Sequence, residues 1–184
     1  MSNATNELMS EHRAIERVIG LLERASERME RGEQLPPAIL AKAHGFLSEF
    51  VDKCHHAKEE GALFPAMAKN GVPTEGGPIG VMLMEHDEGR RYVAALGEAL
   101  PGYAQGDPKA VAAVATNIRR YAQLLRAHIQ KEDNVLYPLS DRVLSAGDKH
   151  GLEDEFARIE REVTGPGEHE KHLALIQELE AAAG

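Results

Sequence analysis

The stretch His55-His56-Ala57-Lys58-Glu59-Glu60-Gly61-Ala62-Leu63-Phe64-Pro65 decides the reading of this chain. It returns in altered form as His128-Ile129-Gln130-Lys131-Glu132-Asp133-Asn134-Val135-Leu136-Tyr137-Pro138. A shift of 73 residues pairs His55 with His128, Lys58 with Lys131, Glu59 with Glu132, Leu63 with Leu136 and Phe64 with Tyr137. Both copies read His-x-x-x-Glu. A helix sets positions four apart on one face, so an imidazole and a carboxylate one turn apart can hold one metal ion or share a pair.

Working outward, the flanking sequence reads as helices. From about Thr5 to Arg31, Leu8, His12, Ile15, Ile19 and Leu22 recur at steps of three and four, an apolar stripe with a histidine set in it. Gly32 stops that helix. Pro36 and Pro37 open a second, which carries Leu40, His44, Leu47, Val51, His55 and Glu59 on one side until Pro65 ends or kinks it. A third runs from near Pro78 to near Leu100, with Ile79, Met82, His86, Val93, Leu96 and Leu100 inward. Pro101-Gly102 and Gly106-Asp107-Pro108 bracket the next connection, with Asp107 as N-cap. The fourth helix places Val111, Val114, Ile118, Tyr121, Leu125, His128, Glu132 and Val135 on its core face. A shorter helix over Asp148–Val163, a break at Thr164-Gly165-Pro166-Gly167 and a last helix over Glu168–Ala183 follow.

The repeat extends beyond the quoted stretch, because Glu11-His12 resembles Glu85-His86. Each half is then a helix with one inward histidine followed by a helix with His-x-x-x-Glu-x-x-x-Leu-aromatic-Pro. Two such hairpins can close into an all-α four-helix bundle, read over residues 1–147. Residues 148–184 form a C-terminal helical extension packed on it.

Six residues, His12, His55, Glu59, His86, His128 and Glu132, stand where the period calls for aliphatics. Burying six such groups without partners costs several kcal/mol each, and carboxylates enter cores only when paired or metal-bound. A metal pair resolves this, with two imidazoles for each ion and the carboxylates between them. Imidazole with carboxylate suits iron, manganese, zinc or copper better than calcium. The bland alternative is a histidine–glutamate hydrogen-bond network. A single histidine on a helical stripe is more often that than a ligand; two matched sets favour metal.

The remaining residues take plainer roles. His44 lies eleven residues from His55, about 16 Å along the helix. His56 is about 100° around the helix from His55. It reads as a surface or supporting residue that supplies a fifth nitrogen only if the helix deviates locally. Cys54 has no duplicate, since its counterpart is Ala127, and is not read as a ligand. His150, His169 and His172 read as solvated. Tyr121 reads as core, with pocket lining as the alternative. The two Leu-aromatic-Pro triplets read as a plug at one end of the bundle.

Composition agrees with helices: aromatic residues make up 4% and tryptophan is absent. The formal charge of −9 argues against nucleic acid and anionic membrane as partners. One cysteine allows no internal disulfide. No secretory signal or apolar run near the roughly 18 residues of a span is read, and the cytoplasm is the default location.

The order His, His-x-x-x-Glu, His, His-x-x-x-Glu, with Lys58-Glu59-Glu60, Leu63-Phe64-Pro65, Lys131-Glu132 and Leu136-Tyr137-Pro138 around it, resembles the hemerythrin-like (HHE cation-binding) family over about residues 5–145. The resemblance implies an up-down four-helix bundle enclosing two iron ions in a non-haem di-iron centre. Glu59 and Glu132 would bridge, with an oxo or hydroxo group as a third bridge. His12 and His55 would bind one ion, and His86 and His128 the other. It also implies a small ligand such as oxygen, peroxide or nitric oxide, or a role in sensing iron or oxygen. Oxygen carriers of this family have a fifth histidine four residues from the third-helix one and a His-x-x-x-x-Asp in the last helix. Here Met82 and Arg90 flank His86 and the last pair is His-x-x-x-Glu. That departure leaves room for a di-iron enzyme with peroxide-decomposing or ferroxidase activity. A regulatory protein with a structural metal site and a partner-binding tail is the third reading.

Overall fold

The structure, a computed structural model, describes residues 1–165 and 167–183, with the backbone alone at 168–170, 173, 182 and 183. Its elements are α1 (Asn3–Glu30), α2 (37–69), α3 (Pro78–Ala104), α4 (108–143), α5 (146–164) and α6 (Glu168–Ala183), with no strand among the described residues. The chain is therefore all-α, as the stripes predict.

The direction of each helix follows from which core it meets first. One apolar cluster holds Ala4, Leu8, Leu63, Phe64, Ile79, Met82, Leu136 and Tyr137. The other holds Ile15, Ile19, Leu40, Phe50, Leu96, Val114, Ile118 and Leu125. Along α1 and α3 the chain passes from the first to the second; along α2 and α4 it passes back. The bundle thus runs up, down, up, down. Between the two clusters each of α1 to α4 contributes to a polar layer: His12, then His55 and Glu59, then His86, then His128 and Glu132. Leu63, Phe64, Leu136 and Tyr137 of the Leu-aromatic-Pro triplets do sit in the end plug, while Pro65 is exposed.

Local chemistry sets the helix ends. Ser2 caps α1 by accepting from the Thr5 N–H. Asp107 caps α4 by accepting from the Lys109 N–H, with Pro108 in the first turn. Ser145 and Asp148 form a reciprocal capping box at α5. Pro101 lies inside α3 rather than ending it. The last turn is fixed by the buried Tyr103, whose hydroxyl donates to the Leu35 carbonyl (2.9 Å) and accepts from the Leu35 N–H (2.8 Å).

Prolines 65 and 138 neither end nor break their helices. Both α2 and α4 continue through them, to Lys69 and Val143. Each proline follows a wide π-type turn, Glu59–Leu63 or Glu132–Leu136, closed by an N–H donated to a carbonyl five residues back: Phe64 to Glu59 and Tyr137 to Glu132. Proline has no N–H to give and crowds the carbonyl four residues back; a wider turn removes both conflicts. It also moves the stripe. Val135, expected inward, is 54% exposed, and Leu136 is buried in its place.

The C-terminal helices pack on the bundle. Leu152, Phe156 and Ile159 of α5 join the end plug, and Ile176 and Leu179 of α6 join the larger core. His172 is half-buried, with its ring 6.2 Å and 5.8 Å from those of Phe46 and Phe50, rather than solvated. His150 is exposed as read, while the side chain of His169 lies outside the described residues.

Candidate metal centre

The six residues singled out by the repeat are all buried and meet in the polar layer. His12 Nε2 lies 3.0 Å from His55 Nε2, and His86 Nε2 lies 3.1 Å from His128 Nε2. Glu132 Oε2 is 3.1 Å from His12 Nε2 and 3.2 Å from His128 Nε2. Glu59 Oε2 is 3.3 Å from His86 Nε2 and 3.8 Å from His55 Nε2. Each carboxylate therefore spans from one imidazole pair to the other. The distances bring His12 together with His55 and His86 together with His128.

A second ring of groups orients the imidazoles. His12 Nδ1 donates to Asp133 (2.7 Å), His55 Nδ1 to Glu11 (2.8 Å), His86 Nδ1 to Glu60 (2.6 Å) and His128 Nδ1 to Glu85 (3.0 Å). An ionised carboxylate only accepts, so each Nδ1 carries hydrogen and each Nε2 is aimed inward. A cation backs every one of these carboxylates: Arg13 on Asp133, Lys58 on Glu11, Arg90 on Glu60 and Lys131 on Glu85. Such carboxylate–histidine pairs fix tautomer and ring direction at metal sites. The pairing crosses between halves: Glu60 serves His86, and Asp133 serves His12.

The imidazoles do not satisfy the inner carboxylates. Glu59 Oε2 and both Glu132 oxygens are buried with no hydrogen bond, despite imidazole nitrogens close by. Nitrogens and oxygens point at shared space rather than along lines to each other. Among the described residues, the hydrogen bond to an inner carboxylate comes from the Tyr137 hydroxyl, which donates to Glu59 Oε1 at 2.9 Å and lies 3.2 Å from His12 Nε2. Two carboxylates in an apolar interior demand positive charge. Without metal that charge is protons. Burial works against a charged His12, but Asp133 and Glu132 outweigh it and raise it to about 9. Burial likewise opposes a charged His128, and Glu132 and Glu85 bring it to about 10. Burial pushes the Glu132 carboxyl up, but His128 and His12 hold it well below the usual range. Metal ions fit the same space: a paired set of imidazoles, carboxylates that reach both pairs, and orphaned oxygens that need a cation.

His56 differs from its expected place. It is buried, and it groups with Glu59, His86 and His128, their potential ligand atoms all within 4.8 Å of one another. The helix deviates locally: Leu47–His56 is a π-type segment in which the Ala57 N–H reaches back to the Asp52 carbonyl. A turn closed five residues back turns the chain less at each residue, so His56 swings toward the face of His55. Burial, with His86 and His55 beside it, holds His56 well below its usual range and keeps it neutral. A cleft of about 230 Å³ reaches this point from the surface, lined by His44, Leu47, Asp52, His56, Arg90 and Tyr121 among others. Tyr121 is thus both core and cleft wall.

Cys54, Glu11 and Glu160 form a further cluster. Its cation is already present: Lys58 Nζ lies 2.6 Å from each of Glu7, Glu11 and Glu160. Lys58 is fully buried, and α5 supplies part of its cover.

The sequence reading missed the outer carboxylates and their cations. The repeat held the signal, since it pairs Glu11 with Glu85, Glu60 with Asp133 and Lys58 with Lys131 as firmly as it pairs the inner groups.

The family description "Hemerythrin HHE cation binding domain" matches residues 3–140. An uncharacterized protein of Mycobacterium tuberculosis (strain ATCC 25618 / H37Rv) and one of Mycobacterium bovis are each 23% identical over 181 residues, covering 98% of this chain and 70% of the relative. No solved structure matches. No helix among the described residues is long and apolar enough to cross a membrane.

Proposed function

This chain belongs to the hemerythrin HHE cation binding domain family, and on that premise we propose that it holds two iron ions and binds oxygen, peroxide or nitric oxide at them. His12 and His55 hold one ion, His86 and His128 the other, and Glu59 and Glu132 lie between. The observation that carries this reading is the set of buried, orphaned oxygens on Glu59 and Glu132, each carboxylate within reach of both imidazole pairs. Bound iron supplies the electrons for ligand binding or redox change. The chain orients the imidazoles through their Nδ1 carboxylates, donates one hydroxyl hydrogen bond from Tyr137, and excludes bulk water with the two apolar clusters. The test is the ultraviolet–visible spectrum of iron-loaded protein. An oxo-to-iron charge-transfer band that is lost, together with the iron, in His55→Ala supports the reading. No such band, and metal content unchanged by the substitution, sinks it.

The cleft favours a second reading, a di-iron enzyme that consumes peroxide, because it gives a small substrate a path to the edge of the site. Peroxide consumption well above that of free iron distinguishes turnover from a reversible spectral change on cycling oxygen.

A further inference from the structure

The C-terminal extension reaches the polar layer through one buried cation. Lys58 Nζ donates to Glu160 of α5 and to Glu11 of α1, each at 2.6 Å, and Glu11 accepts from His55 Nδ1 at 2.8 Å. Four side chains thus stand in line from α5 to an imidazole of the paired set. An ammonium has three hydrogens, and the third goes to Glu7 at 2.6 Å. Every hydrogen of Lys58 is committed, so its acceptors fix where Nζ sits. Loss of any one of them leaves a buried donor to turn toward the others. Lys58, Glu11 and His55 are all buried, and hydrogen bonds linked in a dry interior polarise one another.

Glu160 is held for this contact by its own helix. Phe156 and Ile159 beside it pack in the end plug, and the Phe156 ring centroid lies 5.7 Å from Lys58 Nζ. The Gly165 N–H closes the last turn of α5 on the Glu160 carbonyl at 2.8 Å, with Gly165 at a φ of 100° that glycine adopts freely. The second half of the repeat has no such arrangement. Lys131 meets Glu85 and is half-exposed. By the alignment of Glu11 with Glu85, Glu7 pairs with Val81, which carries no charge. Glu160 also lies beyond residues 3–140, the part of the chain that the family description matches.

We propose that Glu160 is a positioning residue of the metal centre: through Lys58 and Glu11 it holds the His55 imidazole, so that the C-terminal extension sets metal affinity at the position of His12 and His55. The effect on affinity rests on the metal reading above; the hold on His55 does not. Glu160→Gln removes one of the charges that share the ammonium. Lys58 then turns toward Glu11, whose carboxylate becomes a weaker acceptor for His55 Nδ1. An imidazole held less firmly by its outer carboxylate is a poorer ligand.

The experiment compares the full chain with Glu160→Gln and with Leu152→Ala, which loosens α5 in the end plug without touching Lys58. Nitrogen–proton NMR of the metal-free protein follows the Nδ1 hydrogens, and competition with a chelator measures iron affinity. In Glu160→Gln the His55 Nδ1 resonance shifts while those of His86 and His128 stay in place. Iron affinity falls about tenfold, the lower end of the range for lost outer partners of a metal ligand. Leu152→Ala lowers the melting midpoint and leaves both readouts at wild-type values. Added to Lys58→Met, which cuts the line, Glu160→Gln causes no further loss of affinity. An unmoved His55 resonance, an equal loss of affinity in Leu152→Ala, or a full further loss in the Lys58→Met background overturns the inference and leaves the paired site standing. A wild-type chain that takes up no iron overturns the metal reading, and the His55 resonance then decides the positioning role alone.

Discussion

Lys58 and Lys131 occupy the same place in the repeat and differ chiefly in burial, which makes them a matched pair for experiment. Lys58 is 0% exposed and Lys131 is 39% exposed at its side chain. Lys58 meets Glu7, Glu11 and Glu160 at 2.6 Å each, and Glu11 is itself only 2% exposed at its side chain while it accepts from His55 Nδ1. Lys58→Ala removes the ammonium from a buried carboxylate. Breaking a buried pair from one side costs about 3–5 kcal/mol. For a chain of this size each kcal/mol moves the melting midpoint by roughly 2–4 °C, so a fall of about 6–20 °C is expected. The Lys131→Ala change breaks a half-exposed pair with Glu85 and costs about 1 kcal/mol or less. Thermal melts of both variants without metal, followed by circular dichroism, measure the difference. Equal and small losses in the two variants would refute the argument that burial of Lys58 under α5, rather than its position in the repeat, sets its contribution.

Other outcomes follow from the same geometry. Asp133→Asn removes the charged acceptor that orients His12. It lowers metal affinity about 10–100-fold with the fold intact, measurable by competition with a chelator. The metal-free chain loses stability as pH rises. His12 and His128 stand at about 9 and 10 against an ordinary 6.5, so their contribution is complete below about pH 6.5 and is lost as pH passes through 9 to 10. Urea midpoints at pH 7 and pH 10 show the fall, and metal-loaded protein shows far less of it, since ligated nitrogens take up no proton.

How much of this was legible in the sequence depends on where the 3.6-residue period holds. The four stripes placed Leu8, Ile15, Ile79, Ile118, His12, His86 and His128 inward correctly, because α1, α3 and most of α4 are plain α-helix; His55, Glu59 and Glu132 face inward although they lie in wide turns, and there the repeat marked them more firmly than the period. Val135 and His56 were misplaced for one reason: both lie in wide turns, where counting in threes and fours points a side chain the wrong way. Nothing in local propensity marks the segment Leu47–His56 as wide. Pro65 and Pro138 do mark the other two wide turns, since proline cannot sit in an unmodified helix interior without conflict. Pro101 misled because Tyr103 holds the last turn of α3 through a partner, Leu35, that lies 68 residues away. Burial of Lys58 was invisible for a similar reason, since Glu160 reaches it from a helix outside the repeat. The outer carboxylates were legible but unread, duplicated as they are in Glu11 with Glu85 and Glu60 with Asp133.

The central claim is a paired metal site built from two copies of His, His-x-x-x-Glu. Anaerobic titration of the metal-free chain with ferrous iron, followed by desalting and elemental analysis, tests it most directly. The account predicts uptake that saturates at two irons per chain and falls in Glu132→Ala, whose carboxylate lies within 3.2 Å of both His12 and His128. Saturation at one iron, or uptake unaffected by the loss of Glu132, would contradict it.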